Sequence, residues 1–264
     1  MNRPLTLQQR ATLRTGFGAL LTTLCLALLH IGSSHAAPLP EQFSATYDVK
    51  RSGLTIGETR RTLSRENSRE NGQYLFESIT RPVGIAKLFT DGQVVERSHW
   101  QFFQGQPRPL KYTFFNSGGK KKRNIQLDFD WEKNQVINTI NNKPWTMPLE
   151  YGTSDKLLYQ LRIMQDLATA SGSLRYPVAD GGKLKYYDIK IIGRERIRTP
   201  MGNFEAVRLQ HTKGSRRTTM WCARELGYLP VRIEQRKNND SPVVAVLSSV
   251  SGINPENKRP PIGK

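Results

Sequence analysis

Few side chains in this 264-residue chain are of a type and spacing that could support chemistry. Beyond residue 36 there are two histidines, His99 and His211, and one cysteine, Cys222. A serine nucleophile needs a sharp turn to present its hydroxyl and a base beside it. No G-x-S-x-G occurs, and only those two histidines could serve as the base. His99 lies in Glu96-Arg97-Ser98-His99-Trp100 and His211 closes another alternating segment, so each reads first as a sheet residue with a local hydrogen bond. Cys222 follows Trp221 in a strand pattern and reads as a small buried hydrophobe. Neither H-E-x-x-H nor C-x-x-C is present, so no metal and no cofactor is expected. Asp128 and Asp130 share one face of a strand, and Glu58 is a third acid of interest. Such carboxylates could serve an envelope hydrolase or transferase acting on glycan. The competing reading puts Asp128 and Asp130 on the wet face of an amphipathic strand.

Cations are far more prominent. The chain carries 40 Lys and Arg against 22 Asp and Glu, a net charge of +18. Lys120-Lys121-Lys122-Arg123 follows Ser117-Gly118-Gly119, where a hairpin tip would project all four into solvent. Arg216-Arg217 and the alternating Arg194, Arg196 and Arg198 add to this. One reading is a solvated edge, because Lys and Arg on exposed strands block edge-to-edge pairing. The sharper reading is an electrostatic contact with an anionic envelope component or partner, centred on Lys120, Lys121, Lys122 and Arg123. Aromatics such as Phe102, Phe103, Tyr112, Phe114, Phe115, Tyr186 and Tyr187 would be core, or would line a ligand cavity within a barrel.

The elements that must position these residues are mostly strands. Phe43, Ala45, Tyr47 and Val49 alternate with polar residues, as do Ile125, Leu127, Phe129 and Trp131. Period-two alternation gives a strand one apolar and one wet face. Further strands are predicted at 54–64, 73–80, 93–103, 109–116, 135–140, 183–192, 203–212, 216–222, 229–236 and 243–250, about a dozen in all. Turn signals separate them: Ser52-Gly53, Asn71-Gly72, Asp91-Gly92, Ser117-Gly118-Gly119 and Pro200-Met201-Gly202. One segment differs, with Leu157, Leu161, Met164 and Ala168 at helical spacing, Ser154 as the cap and Gly172 after the close. It predicts one α-helix over about 154–170. The fold class is therefore mainly β, a curved antiparallel sheet closing into a barrel or half-barrel with this helix covering one end. A two-sheet β-sandwich is the alternative.

The first 36 residues read as a signal helix that is cleaved on export. Arg3, Arg10 and Arg14 form a basic start, Thr15 to Pro40 carries no charge, and Ser34-His35-Ala36 places small residues before a cut between Ala36 and Ala37. Cleavage would leave 37 basic and 22 acidic residues, or +15, and no transmembrane segment. Localisation in the periplasm follows, where a basic protein meets anionic lipids, glycans and acidic surfaces instead of nucleic acid. Residues 37–252 are expected to form one β domain, and 253–264 a disordered tail.

Several stretches taken together resemble an exported bacterial family, domain of unknown function 3108 (DUF3108). They are Gly53-Leu54-Thr55-Ile56-Gly57-Glu58, Tyr151-Gly152-Thr153-Ser154-Asp155-Lys156-Leu157-Leu158-Tyr159, Thr199-Pro200-Met201-Gly202-Asn203-Phe204-Glu205-Ala206, and Met220-Trp221-Cys222 with Tyr228-Leu229-Pro230-Val231-Arg232. Their order and spacing fit across roughly 43–250. The resemblance implies a β-rich, barrel-like or curved-sheet periplasmic protein and brings no reaction or catalytic residue with it. The expected function is a non-enzymatic binding or accessory factor in cell-envelope biogenesis or secretion, recognising a lipid-like, glycan or outer-membrane protein ligand.

Overall fold

The structure is a computed structural model and describes residues 39–66, 72–118 and 122–253. The amino-terminal segment with Ala36 and Ala37, the cations Lys120 and Lys121, and the tail from residue 254 lie outside the described residues.

Fifteen strands form one sheet in the order β8-β7-β6-β5-β4-β3-β2-β1-β15-β14-β13-β12-β11-β10-β9. The first half comprises β1 (Phe43–Arg51), β2 (Leu54–Arg65), β3 (Gln73–Pro82), β4 (Val94–Phe103), β5 (Gln106–Asn116), β6 (Arg123–Asp130), β7 (Gln135–Ile140) and β8 (Lys143–Pro148). The second comprises β9 (Ser154–Asp155), β10 (Ser173–Asp180), β11 (Lys183–Thr199), β12 (Gly202–Lys213), β13 (Arg216–Ala223), β14 (Leu229–Lys237) and β15 (Val243–Ser251). β1 pairs with β15, so the first and last strands meet in the middle of the sheet and two meanders run outward from them. Only the β9–β10 pair is parallel; the rest are antiparallel.

The edge strands β8 and β9 are not joined by a backbone ladder, so the barrel-like sheet remains open. Side chains bridge the opening. Trp145 Nε1 on β8 donates to the carbonyl of Gly182 in the β10–β11 turn, and Ser98 Oγ on β4 donates to Asp155 on β9. The alternative of two separate sheets is thereby replaced by one sheet curled over its own helix.

That helix, α1, runs Tyr159–Asp166, shorter than the predicted 154–170. Ser154 does not cap it. Ser154 and Asp155 pair with Val178 and Ala179 as a two-residue strand, and the Asp155 carboxylate accepts the backbone N–H groups of Leu157 and Leu158. Residues Leu161 to Gln165 are buried. Leu161 and Met164 join the larger apolar cluster, with Tyr47, Leu63, Trp100 and Leu127, while Ile163 and Leu167 join a second with Val178, Ile189, Leu209 and Met220. The helix thus fills the space between the two halves.

Three strands escape the alternation rule. β8 contains Pro144 and Pro148 and lies at the edge, where a missing donor is tolerated; β9 is two residues long; β10 has Val178 and Ala179 buried on opposite faces. Asp91-Gly92 does not form a tight hairpin turn, because a 3-10 helix at Gly84–Leu88 lengthens that connection. Ser52-Gly53 does, with φ of 48° and 82°.

Candidate anion-binding cleft

Inward-facing residues alternate along most strands, and on several strands the inward row changes character toward one end. On β12 it runs Leu209, His211, Lys213; on β13, Cys222, Met220, Thr218, Arg216; on β14, Ile233, Gln235, Lys237. On β10 it runs Tyr176, Val178, Asp180, and on β2, Leu63 then Arg61. Each row begins buried and becomes more exposed as it becomes polar. Their polar ends border one cleft of about 500 Å³. Arg123 on β6, Glu96 on β4, and Lys156, Tyr159 and Gln160 at the start of α1 complete its wall.

Six cations therefore face this space, Arg61, Arg123, Lys156, Lys213, Arg216 and Lys237, against two acids, Glu96 and Asp180. Lys213, Arg216 and Lys237 are register partners on adjacent strands, three cations side by side. Like charges directly opposite in a sheet are destabilising. Neither Arg216 nor Lys237 forms an ion pair among the described residues, nor do Arg61 and Arg123.

Asp180 absorbs part of the charge. Lys213 and Lys185 bond its Oδ2, Lys156 lies 4.0 Å from its Oδ1, and the Tyr187 hydroxyl donates to Oδ2 at 3.1 Å. Burial works against its ionised form, but the surrounding ammonium groups outweigh burial and hold its pKa at about 2. Lys185 is pulled below the ordinary lysine range by burial and by Lys213 beside it. Burial drives the Tyr187 hydroxyl upward, with the nearby Asp180 charge adding to it, and burial raises Tyr159 to about 12. Both phenols are thus neutral donors at physiological pH.

His211 stacks on Tyr187 with ring centroids 4.5 Å apart. Its Nδ1 lies 2.9 Å from the carbonyl of Asp188, so Nδ1 carries the proton. Nε2 has no hydrogen-bond partner among the described residues. Arg61 is braced by a 2.6 Å bond to Gln160 Oε1 and stacks over Tyr47. A smaller adjoining recess of about 70 Å³ shares Arg123, Lys156 and Asp180 and is otherwise lined by Tyr112, Phe114, Ile125 and Leu127 among others. What this arrangement can do is hold a ligand with several negative charges.

The structure disperses most other candidate residues. His99 bonds the Glu66 carboxylate at 3.0 Å and does not border the cleft. Cys222 is fully buried, its thiol pKa pushed up by burial. Of the basic run, Arg123 enters the cleft and Lys122 is exposed. Asp128 accepts from Gln126 and Asp130 from Lys133, both on the face of β6 opposite Leu127 and Phe129. Glu58 on β2 is four strand spacings from β6, about 19 Å across the sheet. These acids do not converge on one site. Among the predicted aromatics, Tyr112, Phe114 and Tyr187 line the cleft or its recess, whereas Phe102, Phe103, Phe115 and Tyr186 are exposed. Sequence reading missed Arg61, Lys156, Asp180, Lys213 and Lys237. For Asp180, Lys213 and Lys237 the local signal was a charged residue ending a strand, whereas Arg61 within β2 and Lys156 before α1 carried none.

Fold and cleft together define a barrel-like β domain with a basic mouth. The chain matches the family described as Protein of unknown function (DUF3108) over residues 42–248, and it belongs to that family. No curated protein matches its sequence. Among solved structures it is similar to a beta-barrel-like protein of domain of unknown function DUF1849 from Brucella abortus, with TM-score 0.50 and 10% identity over 81% of this chain and 99% of that one. A protein with YmcC-like fold from Bacteroides fragilis is covered over 99% of its length, and 82% of this chain, at 13% identity and TM-score 0.31. No helix among the described residues is long and apolar enough to cross a membrane.

Proposed function

We propose that this protein is a non-enzymatic binding factor of the cell envelope that holds a multiply charged anionic ligand in the mouth of its half-barrel. The carrying observation is the in-register row Lys213–Arg216–Lys237, a repulsive arrangement that a bound polyanion would neutralise. An export-type amino terminus supports a periplasmic ligand, and phosphorylated or carboxylated glycans and lipid headgroups would supply the charge there. A cleft of about 500 Å³ suits a headgroup or a short acidic glycan, and the 70 Å³ recess suits a small apolar substituent instead of a full acyl chain. A role in outer-membrane biogenesis or secretion would follow from delivering or sensing such a ligand. A carboxylate-dependent glycan enzyme is disfavoured by the separation of Glu58 from Asp128 and Asp130.

Calorimetric titration of the chain with tripolyphosphate tests the reading. Arg216→Gln with Lys237→Gln removes two cleft cations that form no ion pair among the described residues, so folding is spared. At least a tenfold loss of affinity for one binding site is expected; a titration indistinguishable from wild type would overturn the assignment.

A further inference from the structure

A second set of cations lies on the opposite face of the same strands. Leu209, Met220 and Ile233 form one inward cross-strand row. The next row is Arg208–Trp221–Arg232, again in register across β12, β13 and β14, and it points outward. Both guanidinium groups lie over the Trp221 ring, at 5.7 Å and 5.1 Å from its centroid. The indole is buried beneath them, with 7% of its surface exposed.

Donor accounting singles out this row. Arg208 Nε, Trp221 Nε1 and Arg232 Nε are all buried, and none has a hydrogen-bond partner among the described residues. Buried donors are nearly always satisfied, and here three orphans fall on three adjacent strands in one line. They border a depression of about 270 Å³ whose wall also includes Thr219, Arg217 and Arg236. Arg217 and Arg236 are themselves directly opposed in register, and Arg217 has no ion-pair partner among the described residues. Glu195 and Glu234 pair with Arg208, Arg232 and Arg236, leaving the patch net positive.

We propose that this outward row is a second oxyanion site, distinct from the cleft, which takes a phosphate or sulfate group between Arg208 and Arg232 above the Trp221 indole. A tetrahedral oxyanion presents several acceptor lone pairs to planar guanidinium forks, which makes it the chemistry that matches these donors. The inward cleft and this face are separated by the thickness of the sheet, so each can bind without the other.

The full chain titrated with tripolyphosphate is expected to bind two equivalents. Arg208→Gln with Arg232→Gln should reduce this to one, while the Arg216→Gln, Lys237→Gln pair keeps the outward site and its tryptophan fluorescence response. Trp221→Phe keeps an aromatic, though smaller, ring beneath the arginines and removes the donor, and should weaken the outward site five- to tenfold. Arg208→Lys with Arg232→Lys keeps the charge without the forks and should recover less than half of the lost binding energy. Vesicles of phosphatidylglycerol, compared with phosphatidylcholine, tell a lipid headgroup from a free phosphate: co-sedimentation that is lost in the Gln pair assigns the headgroup, and its absence assigns the soluble ion. Two equivalents bound with unchanged affinities by a folded Arg208→Gln, Arg232→Gln protein would overturn the proposal while leaving the cleft assignment standing.

Discussion

Ser98 Oγ donates a 2.5 Å hydrogen bond to Asp155 Oδ2, joining two fully buried residues 57 positions apart. Through it the interior strand β4 holds the edge strand β9. The other carboxylate oxygen of Asp155 accepts the N–H groups of Leu157 and Leu158, so one side chain both fastens the open edge of the sheet and starts the chain toward α1.

Burial raises the Asp155 pKa from 3.8 to about 6, against the hydrogen bonds that favour its charge. A raised carboxylate binds its proton more tightly when folded. Its contribution to stability is therefore complete below about pH 4 and is lost as pH rises through 6. Asp155→Asn keeps an oxygen for the two backbone donors and removes the titration. Urea unfolding across pH 4 to 7 should show wild type losing up to about 3 kcal/mol relative to this variant. Parallel profiles for the two proteins would refute the account.

Asp180 behaves in the opposite sense. Its pKa is depressed from 3.8 to about 2, so the stability it supplies is present above about pH 4 and disappears as pH falls through 2. Asp180→Asn leaves Lys156, Lys185 and Lys213 facing one another without their shared anion. A loss of about 1–2 kcal/mol at pH 7 is expected, partly restored by added salt and vanishing near pH 2. Equal stability at pH 7 would show that the lysines do not need it.

Gly182 sits where the β10–β11 turn meets β8. Its φ is 75°, and a Cβ there would lie 2.0 Å from the Trp145 ring. Gly182→Ala should cost about 2–4 kcal/mol through strain and overpacking. Trp145→Ala in the same chain should recover part of that loss, a coupling read from a double-mutant cycle. Additive effects would mean the contact does not help to close the sheet.

Cys222 should be inert in the native protein. It is buried at 0% exposure and its thiol is pushed far from ionisation by burial. With Cys25 replaced by serine, labelling by a thiol reagent should proceed only as fast as the protein unfolds, and become immediate in urea. Stoichiometric labelling of folded protein within seconds would contradict its placement.

Much of the fold is legible along the chain. Alternation marks β1 and β6 at nearly their observed bounds, and the helical spacing of Leu157, Leu161 and Met164 marks the core-facing side of the segment that becomes α1. These are local patterns, written by which residues face the core within one element. β8, β9 and β10 carry no such pattern, because an edge position, extreme shortness or burial on both faces removes the alternation that would announce them.

The excess of cations, the strand-rich architecture and the scarcity of histidine and cysteine beyond residue 36 were determined by the sequence alone, since each depends on residue type or short-range period. Which cations act together was decided only by tertiary structure. Arg61 and Lys237 stand 176 positions apart in the chain yet border one cleft. Of the described residues in the run at 122–123, conspicuous in the sequence, Arg123 borders the cleft and Lys122 does not. Charge density along a chain records neighbours in sequence, whereas an electrostatic site is made by register across strands, and register is set by the packing of the opposite, apolar face.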